Sequence, residues 1–193
     1  MNTQELSSTI ARPLFVRRRW TLPELEQMVA AGIVADSERV ELIDGDVILQ
    51  STRSRRHEIV RSALLNRWAR KLPDNLMIAS PTTLALDPYV APEPDILFYP
   101  ASILAPDVRG DTVLLVIEIA DSSYSYDLKI KGPLYASFGV REYWVIEPKT
   151  LVTTVHRNPG AEGYAEVREV AGTEIIAPLA VPGLGVRLAD LIG

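Results

Sequence analysis

Apolar and polar positions in this chain follow two periods, and each change of period marks an element. Behind Thr21-Leu22-Pro23-Glu24, a capping-box pattern, Leu25, Met28 and Val29 continue a helical stripe that predicts a helix over residues 22–31. The runs 39–43 and 46–50 flank Asp44-Gly45, a dipeptide that favours a tight β-hairpin. After Ser54, Val60, Leu64 and Trp68 share one helical face and predict a long helix to about Leu72, ended by Pro73. Strand-like runs follow at 76–79, 82–86 and 95–99, with a proline-rich link from Pro88 to Pro94 between the last two. Residues 113–120 are apolar and rich in β-branched side chains, as in a central strand covered on both faces, except for Glu118. A helix over about 125–138, closed by Gly139, leads to a strand at 142–146. Two further strands, 151–157 and 163–170, complete the pattern, with Asn158-Pro159-Gly160 read as the turn between them. The expected architecture is α/β: a mixed central β-sheet flanked by helices, in one domain over 20–193 behind a poorly ordered arm, 1–19.

Composition narrows the chemistry more than the fold. The 193 residues are 47% hydrophobic and 23% charged, the balance of a globular protein. Without cysteine there is no disulfide, thiolate-bound zinc or iron–sulfur cluster. With only His57 and His156, a histidine-rich metal site is excluded as well. Hard, oxygen-ligated cations remain. No apolar run approaches the length of a membrane span, and a cytoplasmic protein without a membrane partner is expected. The net charge of −5 argues against non-specific coating of nucleic acid. Yet the segment 53–71 carries seven basic residues against one acid, Glu58, and reads either as a phosphate-facing stripe or as a solvated helix face.

The chemistry centres on two carboxylates. A buried acid without a partner is costly, so Glu118 needs a cation, a hydrogen-bond network or a metal beside it. Asp95 opens a second apolar run directly after Pro94. Two acids at the ends of two core strands form an oxygen-donor site suited to Mg²⁺ or Mn²⁺, and a buried salt-bridged pair is the alternative. Lys129 and Lys131, on the following helix, could supply a positive charge. The position two residues after Glu118, where a core nuclease motif carries lysine, is Ala120. Gly132-Pro133 implies that this helix is either kinked or restarted late. Asp127 is expected to cap it, Tyr143 and Trp144 read as packing residues, and His156, on a late strand, as structural or exposed.

Several segments recur together in a known order: Arg39 to Gly45, Pro94-Asp95, Ile117 to Ser123, Tyr126-Asp127, Leu134-Tyr135-Ala136 and Gly139 to Ile146. Over roughly residues 20–175 the chain resembles the Uma2 family of restriction-endonuclease-like proteins, within the PD-(D/E)XK nuclease-like superfamily. The resemblance implies a restriction-endonuclease-like core and an endonuclease that hydrolyses phosphodiester bonds, of DNA in the first place, with a divalent metal. It matches Asp95 and Glu118 to the metal carboxylates, the Ile119 carbonyl to a further ligand, Lys131 to the catalytic lysine and Glu41 to an acid that binds metal or orients water. His57 falls where the family often has a histidine. With Arg53, Arg55, Arg56 and Arg61 it makes up the expected nucleic-acid-binding set. A homodimer would bring two equivalent sites to two strands. The competing expectation is a nucleic-acid-binding or regulatory module that keeps the fold without turnover, and a hydrolase for a small phosphorylated molecule is a third.

Overall fold

The computed structural model describes residues 17–35 and 37–192. Six strands form the central sheet in the order β3 (Leu76–Ala79), β4 (Ile96–Pro100), β5 (Leu115–Ile119), β6 (Glu142–Ile146), β7 (Thr153–Gly160) and β8 (Gly163–Val170). Only β5 and β6 run parallel; the other neighbours are antiparallel. A parallel pair needs a crossover, supplied here by a helical segment that packs on one face of the sheet. The long helix α2 (Arg55–Ala69) covers the other face.

The period-two alternation divides the side chains between these faces. Ile96, Phe98, Leu115, Ile117, Trp144 and Ile146 meet Val60, Leu64 and Trp68 of α2 in one core. Trp68 stands edge-on to Phe98 with ring centroids 5.1 Å apart, and its indole N–H donates to the Leu184 carbonyl. Leu97, Val116, Tyr143 and Val145 face the opposite way and pack around Tyr135 of the crossover. Glu118 has the parity of Val116, so the same alternation sends it toward the crossover helix.

The first helix, α1 (Leu22–Ala30), carries the expected capping box. The hairpin β1 (Val40–Ile43) and β2 (Asp46–Leu49) forms around Asp44 and Gly45, both with positive φ, as a tight hairpin turn demands. Gly45 is also overlaid by Arg19, and a side chain there would collide with it. Reciprocal backbone hydrogen bonds between Leu42 and Ala91 stitch β1 to the link before β4. That stitch carries Glu41 to the end of the central sheet.

Three expectations need correction. Residues 82–86 form no strand: Leu84 and Leu86 are buried, but their N–H groups bond back within the link, to Pro92 and Val90. Apolar alternation reported burial there, and the proline-rich return prevented sheet pairing. Asn158-Pro159-Gly160 is not a turn; it extends β7, and Ala161-Glu162 makes the two-residue connection. Beyond Arg157, β7 pairs only with β8, so one of its edges is open and the proline is tolerated. The long helix ends at Ala69 instead of Leu72. Of the expected arm, 1–16 lies outside the described residues, while Arg17, Arg18 and Arg19 pair with Asp46, Glu24 and Asp44. A short pair, β9 (Ile175–Ile176) and β10 (Val186–Arg187), and the turn α5 (Ala189–Ile192) close the chain. Among the described residues no helix is long and apolar enough to cross a membrane.

Candidate active site

Two buried clusters meet beyond the ends of β4 and β5. The first surrounds Lys131. Its Nζ lies 2.8 Å from Glu41 Oε2, 3.0 Å from Glu118 Oε1 and 3.6 Å from Asp127 Oδ1. The Tyr135 hydroxyl donates to the same Glu118 oxygen at 3.1 Å. All five side chains are buried. Asp127, Lys131 and Tyr135 follow one another at helical spacing of four and so present one face to Glu118.

The crossover that holds them changes its hydrogen-bond pitch. The turn α3 (Tyr124–Tyr126) runs into a π-helical turn, Asp127–Lys131, and then α4 (Gly132–Ser137). The Asp127 carbonyl accepts the N–H of Gly132, five residues on, and also the Tyr143 hydroxyl at 3.1 Å. Pro133 has no N–H to offer, but the chain is helical without a break from Tyr124 to Ser137, so the helix does not restart late; the wider π-helical turn just before the proline accommodates it. Lys131 is thereby held inward, while Lys129 is exposed. Asp127 does not cap this helix. Tyr124–Tyr126 is already helical ahead of it, and its carboxylate accepts the Ser123 hydroxyl and faces Lys131.

Three acids therefore share one lysine. Burial pushes the Glu118 carboxyl well above its ordinary value; Asp127, Asp95 and Glu41 add to this, and Lys131 only partly opposes it. Burial acts against the Lys131 charge, yet Glu118, Glu41 and Asp127 outweigh it and raise that group as well. Burial likewise lifts Asp127. Three carboxyl groups surround one ammonium, and crowding them together makes Glu118 and Asp127 hold a proton more readily.

The second cluster surrounds Asp95. Its Oδ2 lies 2.9 Å from His57 Nε2 and accepts the Ile119 N–H at 2.9 Å, while Oδ1 is 3.0 Å from an Arg53 terminal nitrogen. Burial would raise this carboxyl, but the His57 ring, the Ile119 N–H and Arg53 together hold it below its usual range. His57 is fixed by the start of α2, where Ser54 Oγ accepts its backbone N–H. Its Nδ1 faces Glu58 at 3.4 Å.

Glu41, Asp95, Glu118, Ile119 and Lys131 line one cavity of about 370 Å³, with Arg53 and His57 on its wall. Arg55 and Arg56 stand exposed on the first turn of α2, outside that lining. Arg61 is engaged by Glu58 and Ser80. Reading single residues passed over Tyr135, Arg39 and Glu93, and gave Asp127 the wrong task. The spacing of four that joins Asp127, Lys131 and Tyr135 was the available signal for two of them. Arg39 and Glu93 reach the cavity only through the hairpin and the proline-rich link, which no local pattern reveals.

Among the described residues, no three His, Cys, Asp or Glu side chains are gathered as a metal cage. A magnesium-type ion does not require one: it binds through one or two carboxylates and keeps waters or substrate oxygens for the rest. The oxygens present fit that demand. Both hydrogen bonds to Glu118 fall on Oε1, leaving Oε2 without one, whereas Glu41 Oε2 is taken by the Lys131 ammonium at 2.8 Å.

A family model described as "putative restriction endonuclease", Uma2, matches residues 22–189. A crystal structure from Anabaena variabilis, titled a "putative nuclease belonging to DUF820", is similar in fold. At 15% identity it aligns over 89% of this chain and 97% of its own, with a TM-score of 0.68. No curated protein matches the chain. Fold and family place the molecule in the class of restriction-endonuclease-like nucleases. The chain belongs to the Uma2 family.

Proposed function

We propose that the cavity is the active site of a divalent-metal-dependent endonuclease acting on DNA. The observation that carries this reading is the crowding of buried carboxyl groups around Glu118, with one lysine among them. Asp95 and Glu118 would hold Mg²⁺ or Mn²⁺, with the Ile119 carbonyl as a further oxygen. When bound, such an ion polarises the scissile phosphate and acidifies water. Lys131 keeps its proton and presents a fixed positive charge where negative charge develops on the phosphate. Glu41, Asp127 and Tyr135 act on position: the two acids hold the ammonium, and the phenol holds Glu118 Oε1. Arg53 and His57 on the wall, with Arg55 and Arg56 beside the rim, supply the basic surface for the backbone. A homodimer would let two such sites meet two strands.

The test is cleavage of mixed single- and double-stranded DNA with Mg²⁺ or Mn²⁺, comparing wild type with Glu118→Gln. Metal-dependent cutting that disappears in the variant supports the reading. Binding of nucleic acid without metal and without cutting would instead identify a non-catalytic module, and turnover of a small phosphate ester unaffected by DNA a small-molecule hydrolase.

A further inference from the structure

The two oxygens of Asp95 are held very differently. Oδ2 is pinned by a core backbone N–H and by a histidine anchored at the start of α2. Among the described residues, Oδ1 meets only Arg53, which belongs to the irregular stretch between β2 and α2. The 3.0 Å contact lacks hydrogen-bond alignment: the Arg53 Nε and the terminal nitrogen facing Asp95 are both buried without a hydrogen-bond partner. The second acid near Arg53, Glu58, lies 3.7 Å away. The Arg53 side chain is only 14% exposed, and the charge of half-buried Arg39 is disfavoured first by its burial and then by the Arg53 guanidinium. This guanidinium is charged, underused and crowded by a like charge.

We infer that Arg53 is an exchangeable placeholder: it neutralises Asp95 Oδ1 until a divalent ion takes that oxygen, then turns its freed donors to the substrate phosphate. The inference rests on the metal-dependent reading above and gives Arg53, already on its basic wall, a second station at Asp95. A guanidinium and a divalent ion on one carboxylate oxygen repel strongly in a buried site, so the two occupy it in turn. Arginine suits both stations, because its planar fork matches carboxylate and phosphate alike. Its place in irregular chain, outside helix and sheet, lets it move without disturbing either.

The experiment is Mn²⁺ titration of the full chain by calorimetry, wild type against Arg53→Met, paired with anisotropy of a short labelled DNA duplex in Ca²⁺. The expected result has opposite signs: Mn²⁺ binds the variant about ten-fold more tightly, the size of one lost charged contact, while the duplex binds about ten-fold more weakly. A purely structural Arg53 would not tighten Mn²⁺. Equal or weaker Mn²⁺ binding by a folded variant overturns the placeholder, as does tighter Mn²⁺ with unchanged duplex binding. Should the variant fold poorly, nuclear magnetic resonance of wild type under Mg²⁺ titration decides. The Arg53 Nε–H signal is expected to move in step with the Ile119 amide. An Ile119 amide that shifts while Arg53 stays fixed overturns the placeholder alone; if neither responds, the metal-dependent reading falls with it.

Discussion

Glu118 and Glu142 lie on adjacent parallel strands of one sheet, both buried, and they could hardly be treated more differently. Glu142, at the start of β6, accepts the Trp144 indole N–H and two nitrogens of Arg157 on Oε1, and the Leu179 N–H on Oε2. Each of its oxygens is matched, and one guanidinium faces one carboxylate. Glu118, near the end of β5, has one oxygen satisfied and shares its only cation with two other acids. Burial of an acid is therefore no sign of function on this sheet. The informative difference is satisfaction: a matched carboxylate locks the fold, whereas a mismatched one is kept despite its cost.

Substitutions should separate these two sites cleanly. The largest effect is expected at the matched one. Arg157→Met strands Glu142 in the core and should cost about 3–5 kcal/mol of stability, read in chemical denaturation. Cutting by the fraction that stays folded should be unchanged. Glu118→Gln should do the opposite: cleavage falls about a hundred-fold or more, the scale of losing one fixed electrostatic group. The melting temperature should hold, because the amide resembles the protonated carboxyl that burial favours. A large loss of stability there, with cutting intact, would erase the contrast.

pH sharpens it further. The Glu118 carboxyl is raised in the folded protein above its ordinary 4.5, so the native state holds a proton that the unfolded chain releases. That contribution is complete below about pH 4.5 and is lost as pH rises through the folded value. Thermal melts of Glu118→Gln should fall less with rising pH than those of wild type; parallel curves would contradict the assignment. The smallest effect is expected at Tyr135→Phe. Removing its hydroxyl takes one hydrogen bond from Glu118 Oε1, about 1 kcal/mol, seen as a several-fold loss in cleavage rate.

How much of this was legible beforehand depended on distance along the chain. The capping box of α1, the Asp44-Gly45 hairpin, the buried face of α2 and the apolar strands β4 to β6 are local patterns, and each appears where its pattern lies. Residues 82–86 misled because alternation registers burial and not hydrogen bonding, and their backbone bonds close within the link. Asn158 to Gly160 misled because a proline reads as a turn unless the open edge beside it is known. In the cavity, Glu41, Asp95, Glu118 and Lys131 were visible as residues and do converge. Their pairing was not visible. That Arg53 faces Asp95, and that Lys131 serves three acids, follows only from how the hairpin and the crossover close over the ends of the strands.

The wide helical turn at Asp127–Lys131 also sets a phase. An α-helix advances by about 100° per residue, so losing Leu128, Lys129 or Ile130 from this turn would bring Lys131 one position nearer Asp127 and turn the ammonium away from the carboxylates it now faces. The number of residues in that stretch is then as strict a requirement as the lysine itself. A deletion there would silence the cluster with all of its side chains still present.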